Sequence, residues 1–541
     1  MRVDRELDRR ALIALAAAML LSVAIRLPAL TWPLHQQPAS FCCGHPDEGD
    51  YYAIFSSFGS TWDDDHPPGF AFAVYLADRL GLGRVAQLLI PPEATDRART
   101  RGVYTARLVS LLCSLVVGWL VYVLGRRSGM AGPFAASASA LVLFSPLFSV
   151  YSMYGLPDVL NMALILGYVY VFLQLTESPA SWRLLAFAFL VGGAFAVKLG
   201  VLIAAPLVVH VVLLSARRAA SAALLGLGLT TGAFVVSGGS FNISRMRMAF
   251  DMVYSQSLTI AERTPTWNMI HYLLSSVAGI GVHFGAILVL SLFGWLSWIR
   301  MRSLRDREAM DTSWLAVALG CVLHFVVISN FGAPFTRHML PLYPFLAIFG
   351  VVGLSYLDLF RRRIASAALL IVVVVLGALA SRPVLRSFRN DPNVTAGRWL
   401  QTHAGVDECI LFTKYAERTQ DFLGRTARAG CQEGRSPRFM VIHSQWSGRV
   451  TGRWWLKPRP GKPGDVYKFG ANAMLRFDDR SRELEFWQSL DDGRAGDWRI
   501  VARFGDDSWT GERLFLRLVG RGYDQFTTPG EIVIAERADT N

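Results

Sequence analysis

Leu108-Val-Ser-Leu-Leu-Cys-Ser-Leu-Val-Val-Gly-Trp-Leu-Val-Tyr-Val-Leu124 runs without a charged residue and stops at Gly125-Arg126-Arg127. Extended back to Tyr104, the run is long enough to cross a bilayer as a helix, since about 20 apolar residues are needed. Basic residues at the foot of such a run mark the cytoplasmic side. Similar runs recur along the chain up to about residue 381. Spans are expected at 11–30, 104–124, 131–151, 156–175, 184–197, 200–216, 219–238, 271–299, 313–330, 338–358 and 364–381, about eleven in all. The whole chain has 541 residues, is 52% hydrophobic and only 18% charged, with a mean hydropathy of +0.35. An average soluble domain carries about 25% charge.

The basic clusters give a consistent orientation. With the N-terminus inside and an odd number of spans, Arg126-Arg127, Arg217-Arg218, Arg300 through Arg307 and Arg361 through Arg363 all fall in the cytoplasm. The Arg-rich N-terminus leading into the run from Ala11 reads as a retained first helix rather than a cleaved signal. Outside lie a long loop at about 31–103, the turn 152–156, the loop 239–270 and the tail from Arg382. The net charge of +13 sits at the ends of the apolar runs and forms no basic stripe interleaved with aromatics, so nucleic acid is not an expected partner. The expected surroundings are membrane lipids.

Two domains follow. Residues 1–382 form a polytopic α-helical membrane domain. Residues 383–541 form a soluble extracytoplasmic domain of α/β or α+β type. Strands are expected at Cys409-Ile-Leu-Phe-Thr, Arg438-Phe-Met-Val-Ile-His, Trp498 to Phe504 and Glu531-Ile-Val-Ile-Ala, with a helix over Glu417 to Gly424. The six Cys make no CxxC metal pattern. Cys113 and Cys321 fall within apolar runs as core residues. Cys409 and Cys431 are able to pair in an oxidising compartment, and one of the adjacent Cys42 and Cys43 has the same option.

Few polar groups interrupt the outer half of the apolar text. His45-Pro46-Asp47-Glu48 lies just past the first span, where a carboxylate suits the removal of a proton from an attacking hydroxyl; a solvated acidic loop is the plainer alternative. Asp63-Asp64-Asp65 reads as solvated loop. His66-Pro67-Pro68-Gly69 opens an amphipathic stretch, Phe70 to Ile90, suited to the interface. Asp158, after Pro157, has a helix-dipole reading and a functional one, because ionisable groups at membrane depth are functional candidates. Lys198 stands alone in Ala196-Val-Lys-Leu-Gly, as a snorkelling side chain or as a point charge for phosphate. Arg337-His338, before Met-Leu-Pro-Leu-Tyr-Pro, offers a guanidinium for phosphate. The loop with Arg245, Arg247 and Arg263 reads as an amphipathic surface helix.

These segments, in this order, resemble the GT-C glycosyltransferases. In particular they resemble the branch of protein O-mannosyltransferases (glycosyltransferase family 39) and lipid A aminoarabinose or galacturonic acid transferases. The resemblance is carried by His45-Pro-Asp-Glu, Pro67-Pro68, Ala106-Arg107-Leu108, Ser145-Pro146 with Pro157-Asp158, Ala196-Val-Lys198-Leu-Gly, Arg337-His338-Met-Leu-Pro and Ala396-Gly-Arg-Trp399, and covers about the first 400 residues. It implies a polyprenyl-phosphate sugar donor and a lipid, glycan or protein acceptor at the outer face of a bacterial inner membrane. Asp47, with Glu48 beside it, takes the catalytic position. Lys198, Arg337 and His338 take the donor phosphate, although relatives often carry Tyr where His338 stands. Asp158 matches a second acidic position. Some relatives use a divalent metal, for which His45, Asp47 and Asp158 are the candidate ligands, and nothing in their spacing requires one. A transporter or flippase of lipid-linked sugars is the rival reading. It needs neither the acidic outer loop nor the large tail, and would often show two related halves.

Overall fold

A computed structural model describes residues 2–30, 69–90, 97–198, 201–214, 265–280, 282–304, 312–330, 336–356, 370–379, 391–405, 408–413, 437–443, 493–505 and 532–538, with isolated short pieces elsewhere. The chain divides into two compact units. One comprises Met1–Leu30, Asp47–Ile90 and Ala98–Arg382; the other comprises Thr31–Pro46, Pro91–Arg97 and Pro383–Asn541.

The first unit is helical. Its helices are α1 (Arg2–Leu30), α2 (Gly69–Ala77), α3 (Gly83–Leu88), α4 (Arg97–Arg127), α5 (Gly132–Leu143), α6 (Pro146–Tyr151), α7 (Pro157–Glu177), α8 (Ser181–Val197), α9 (Ala204–Leu214), α10 (Pro265–Ile280), α11 (Val282–Leu304), α12 (Thr312–Ser329) and α13 (Tyr343–Tyr356). A further apolar helix, α14, covers Leu370–Leu379. Among the described residues five helical segments are long and apolar enough to cross a membrane: Asp8–Pro28, Thr100–Arg127, Pro157–Glu177, Thr312–Ser329 and Arg337–Leu354. Shorter apolar helices accompany them.

One expected span is broken in the structure: the run 131–151 divides into α5 and α6 at Ser145-Pro146. The run 271–299 is met by α10, which begins earlier, at Pro265, and by α11. Pro146 cannot continue a helix because it lacks an N–H. The break therefore leaves carbonyls at the end of α5 without intrahelical donors. In an apolar setting each orphan is costly, and other elements supply the donors. Arg26 of α1, only 1% exposed, donates to the Leu143 carbonyl and to Ser114 Oγ and Ser149 Oγ, both at 3.3 Å. Its guanidinium also lies over the Phe148 ring, 5.2 Å from the centroid. Ser381 Oγ donates to the Phe144 carbonyl at 3.2 Å. Gly377 lets α14 approach, since a Cβ there would stand 2.8 Å from that same carbonyl oxygen and 2.6 Å from His283 Nε2.

Small residues set the other close packings, as is usual where helices associate without a hydrophobic driving force. Gly294 of α11 and Gly353 of α13 bring the two backbones together. The stretch expected from Phe70 to Ile90 forms as α2, apolar throughout, and α3, joined by a π-turn at Asp78–Leu82 in which Gly81 has φ 107°. Glycine populates that left-handed region without strain. Arg101 of α4 clamps the turn with two bonds of 2.9 Å to the Asp78 carboxylate.

The described part of the second unit is a five-stranded sheet with one covering helix. The strands are β1 (Ile410–Phe412), β2 (Phe439–His443), β3 (Arg494–Ala495), β4 (Trp498–Phe504) and β5 (Ile532–Arg537), in the order β1-β2-β5-β4-β3. β1 and β2 are parallel and the remaining pairs antiparallel, with an irregularity between Ile500 and Ala502. Alternate residues point to opposite faces. Ile410, Phe412, Phe439, Val441, Ile532 and Ile534 therefore pack under Ala396 and Leu400 of α15 (Pro392–His403), while Leu411, Met440, Ile442, Val533 and Ala535 form a second core with Trp498 and Leu490. Arg438 bridges Glu408 at 2.6 Å and Glu536 at 2.9 Å. Those hydrogen bonds, to Glu408 first and then Glu536, raise its guanidinium above the usual value. The strands expected near 410, 439, 498 and 532 are present, and the helix expected over Glu417 to Gly424 lies largely outside the described residues. Cys409 is disulfide-bonded. Cys431 lies outside the described residues, and Cys113 and Cys321 are free.

Candidate functional site

Asp158 owes its place to Pro157. Proline is favoured in the first helical turn, where its missing N–H costs nothing, and α7 starts there, with Asp158 in its first turn. The helix dipole favours an acid at that position. The residue is 4% exposed, and a buried carboxylate requires a partner. The partner is Lys198, which closes α8 in an extended conformation, its N–H bonded to the Ala194 carbonyl at 2.9 Å. Lys198 Nζ forms an ion pair with Asp158 Oδ1. The lysine side chain keeps 26% of its surface exposed, against 4% for its carboxylate partner.

The end of α8 is fixed from a third direction. Gly69, the first residue of α2, lies flat on the backbone at Ala196-Val197; a Cβ there would stand 2.5 Å from the Ala196 carbonyl oxygen and 2.8 Å from the Val197 nitrogen. α2 thus begins on the two residues that precede Lys198.

Arg337 and His338 occupy a 3-10 turn, Thr336–Leu342, that leads into α13. The turn packs against α7, α10, α12 and α13. His324 of α12 donates from Nε2 to the His338 carbonyl at 3.1 Å. Lys198 and Arg337 lie close enough to the His338 ring for their charges to act on it, and Lys198 acts in the same way on His324. Asp158, Lys198, His324, Arg337 and His338 therefore form one cluster, assembled from α7, the end of α8, α12 and the turn before α13. Asn161, one turn along α7 from Asp158, is 1% exposed and its Oδ1 is buried without a hydrogen bond among the described residues.

Chemically this is a cationic site with a single described carboxylate, and that carboxylate is committed to the lysine. Such a site suits an anion with one negatively charged oxygen cluster, such as a phosphate ester. Among the described residues no three His, Cys, Asp or Glu side chains gather to hold a metal ion. Asp158, a candidate ligand by sequence, has one oxygen engaged by an ammonium instead. His45, Asp47 and Glu48 lie outside the described residues. His324 and Asn161 carried no sequence signal, being lone polar residues in apolar helical text.

Residues 101–241 match the family model of dolichyl-phosphate-mannose-protein mannosyltransferases. Over that segment the chain is similar to a family of sugar transferases. The matched segment holds Asp158 and Lys198 and ends before the Arg337 turn. No curated protein matches the sequence. Among solved structures, ArnT from Cupriavidus metallidurans bound to undecaprenyl phosphate is similar at 15% identity, with a TM-score of 0.48, over 78% of this chain and 92% of that one. The archaeal oligosaccharyltransferase AglB from Archaeoglobus fulgidus, in complex with an inhibitory peptide and a dolichol-phosphate, is similar at 11% identity and a TM-score of 0.43, over 98% and 88%. The S. cerevisiae protein O-mannosyltransferase Pmt1-Pmt2 complex bound to the sugar donor is similar at 20% identity and a TM-score of 0.30, over 46% and 32%.

Proposed function

We propose that this protein is a transferase that moves a sugar from a polyprenyl-phosphate donor to a hydroxyl of a lipid, glycan or protein at the outer face of the cytoplasmic membrane. The observation that carries the reading is the convergence of Lys198, paired to Asp158, with the Arg337-His338 turn. A lipid-linked phosphate presents its charge where the membrane meets water, and the cluster supplies cations from helix ends. The matched family's description names a phosphate-linked sugar of the same kind. The disulfide at Cys409 supports an oxidising, extracytoplasmic setting for the C-terminal unit, in line with the basic clusters assigned to the cytoplasm.

The reaction is a single displacement. The acceptor oxygen forms a bond to the sugar C1 as the bond from C1 to the phosphate oxygen breaks. Asp47, with Glu48 beside it, takes the hydroxyl proton. The electron pair leaves with the lipid phosphate, whose growing charge Lys198 and Arg337 stabilise. Asp158 holds the lysine in place through their ion pair, and one displacement inverts the anomeric centre. Purified protein in a bilayer, given polyprenyl-phosphate sugars and membrane acceptors, should release polyprenyl phosphate and yield glycosylated acceptor. Asp47→Asn should reduce that turnover by about 10²–10⁴-fold while leaving unfolding temperature unchanged. Near-normal turnover by that variant would remove Asp47 from the mechanism, and movement of the intact lipid-linked sugar across the bilayer without transfer would replace the enzyme with a carrier.

A further inference from the structure

Arg337 does not sit on a regular helix. Its turn, Thr336–Leu342, is of 3-10 type and contains Pro341. In a 3-10 turn each carbonyl is met by the N–H three residues on. For His338 that residue is Pro341, which has no N–H. The proline therefore denies the His338 carbonyl its donor from within the turn, at a point packed among helices where an unmet carbonyl is costly.

His324 stands opposite that oxygen, with Nε2 at 3.1 Å. A carbonyl only accepts, so the ring donates, which places the proton on Nε2 and leaves Nδ1 a bare acceptor. The ring is 2% exposed, and Nδ1 is buried without a hydrogen bond. The bond to the turn is thus the one hydrogen bond that orients the ring among the described residues. We propose that His324 is a positioning residue: its Nε2–H replaces the donor that Pro341 removes, and so locks the Arg337-His338 turn in the geometry that receives the donor phosphate. The inference rests on the donor-site reading above and adds to it a residue that touches neither phosphate nor sugar.

The probe is undecaprenyl phosphate, titrated against the full-length protein in lipid nanodiscs. His324→Leu keeps the bulk and loses the donor, and should weaken binding about tenfold. His324→Gln places an amide nitrogen near Nε2 and should stay within about threefold of the native protein. Pro341→Ala restores a backbone N–H, so the Pro341→Ala, His324→Leu double variant should recover most of the lost affinity. In an Arg337→Ala background, His324→Leu should cause no further loss, because the two act through one group. A merely structural histidine would lower the unfolding temperature of the unliganded protein and would not be rescued by Pro341→Ala. His324→Leu binding the probe like the native protein, or losing affinity equally with and without Arg337, overturns the inference. Arg337→Ala binding the probe like the native protein overturns the donor-site reading, and the inference falls with it.

Discussion

Replacing Lys198 with Met separates what the ion pair does for the fold from what its ammonium does for transfer. Met keeps the length and apolar stem of Lys but removes the charge, leaving Asp158, 4% exposed, as a buried carboxylate without its ammonium. Losing one partner of a buried pair costs about 3–5 kcal/mol. The lysine side chain is 26% exposed, which screens the pair in part, so the expected cost is about 2–3 kcal/mol. Asp158→Asn added to Lys198→Met removes the stranded charge and should return most of that stability. It should not return activity, because the leaving phosphate still lacks its cation, a loss of about 10²–10³-fold. The assay pairs thermal unfolding in nanodiscs with release of polyprenyl phosphate. Recovery of stability with activity still lost assigns the lysine to the phosphate. Recovery of both would show that the pair only braces α7 against α8. A double variant no more stable than Lys198→Met would refute the buried-charge reasoning itself.

Gly69→Ala should lower stability by about 1–3 kcal/mol, the cost of overpacking, because its Cβ would meet the Ala196 carbonyl at 2.5 Å; the displaced α8 end should also reduce affinity for undecaprenyl phosphate, measured alongside unfolding temperature. Arg26→Leu removes the donor from the Leu143 carbonyl and should destabilise by about 1–3 kcal/mol with the donor KM of the remaining folded protein unchanged. Cys409→Ser breaks a disulfide and should cost about 2–5 kcal/mol, seen as an unfolding transition that a reductant lowers in the native protein and no longer lowers in the variant.

The helical character of the first unit was legible because the length of an apolar run is a property of composition, readable without contacts. Leu108 to Leu124 needs no partner to declare itself a helix in an apolar medium. The strands Phe439–His443 and Ile532–Arg537 were legible for a related reason, being short β-rich runs set off by polar text. Boundaries failed where a side chain from far away decided them. The break at Ser145-Pro146 is tolerated because Arg26 and Ser381 supply donors to the carbonyls around it, and those residues lie more than a hundred positions away. A run-length reading sees one span there, since it counts apolar residues and not unmet carbonyls.

The site shows the same division in sharper form. Asp158, Lys198 and Arg337 stand out because a charge in apolar text demands an explanation, and the sequence displays that demand. His324 carries an equal share of the geometry with no visible demand, because a neutral ring in a helix is unremarkable until the acceptor opposite it is known. Its need is created by Pro341, seventeen positions on, which is itself legible only as a helix breaker. The two residues become one device when a 3-10 turn puts the proline three positions after the carbonyl that the histidine serves. In membrane proteins of this kind, a search for positioning residues is better started from each intramembrane proline: the carbonyl it deprives can be computed from turn type alone, and the side chain that answers it is a candidate whether or not it carries charge.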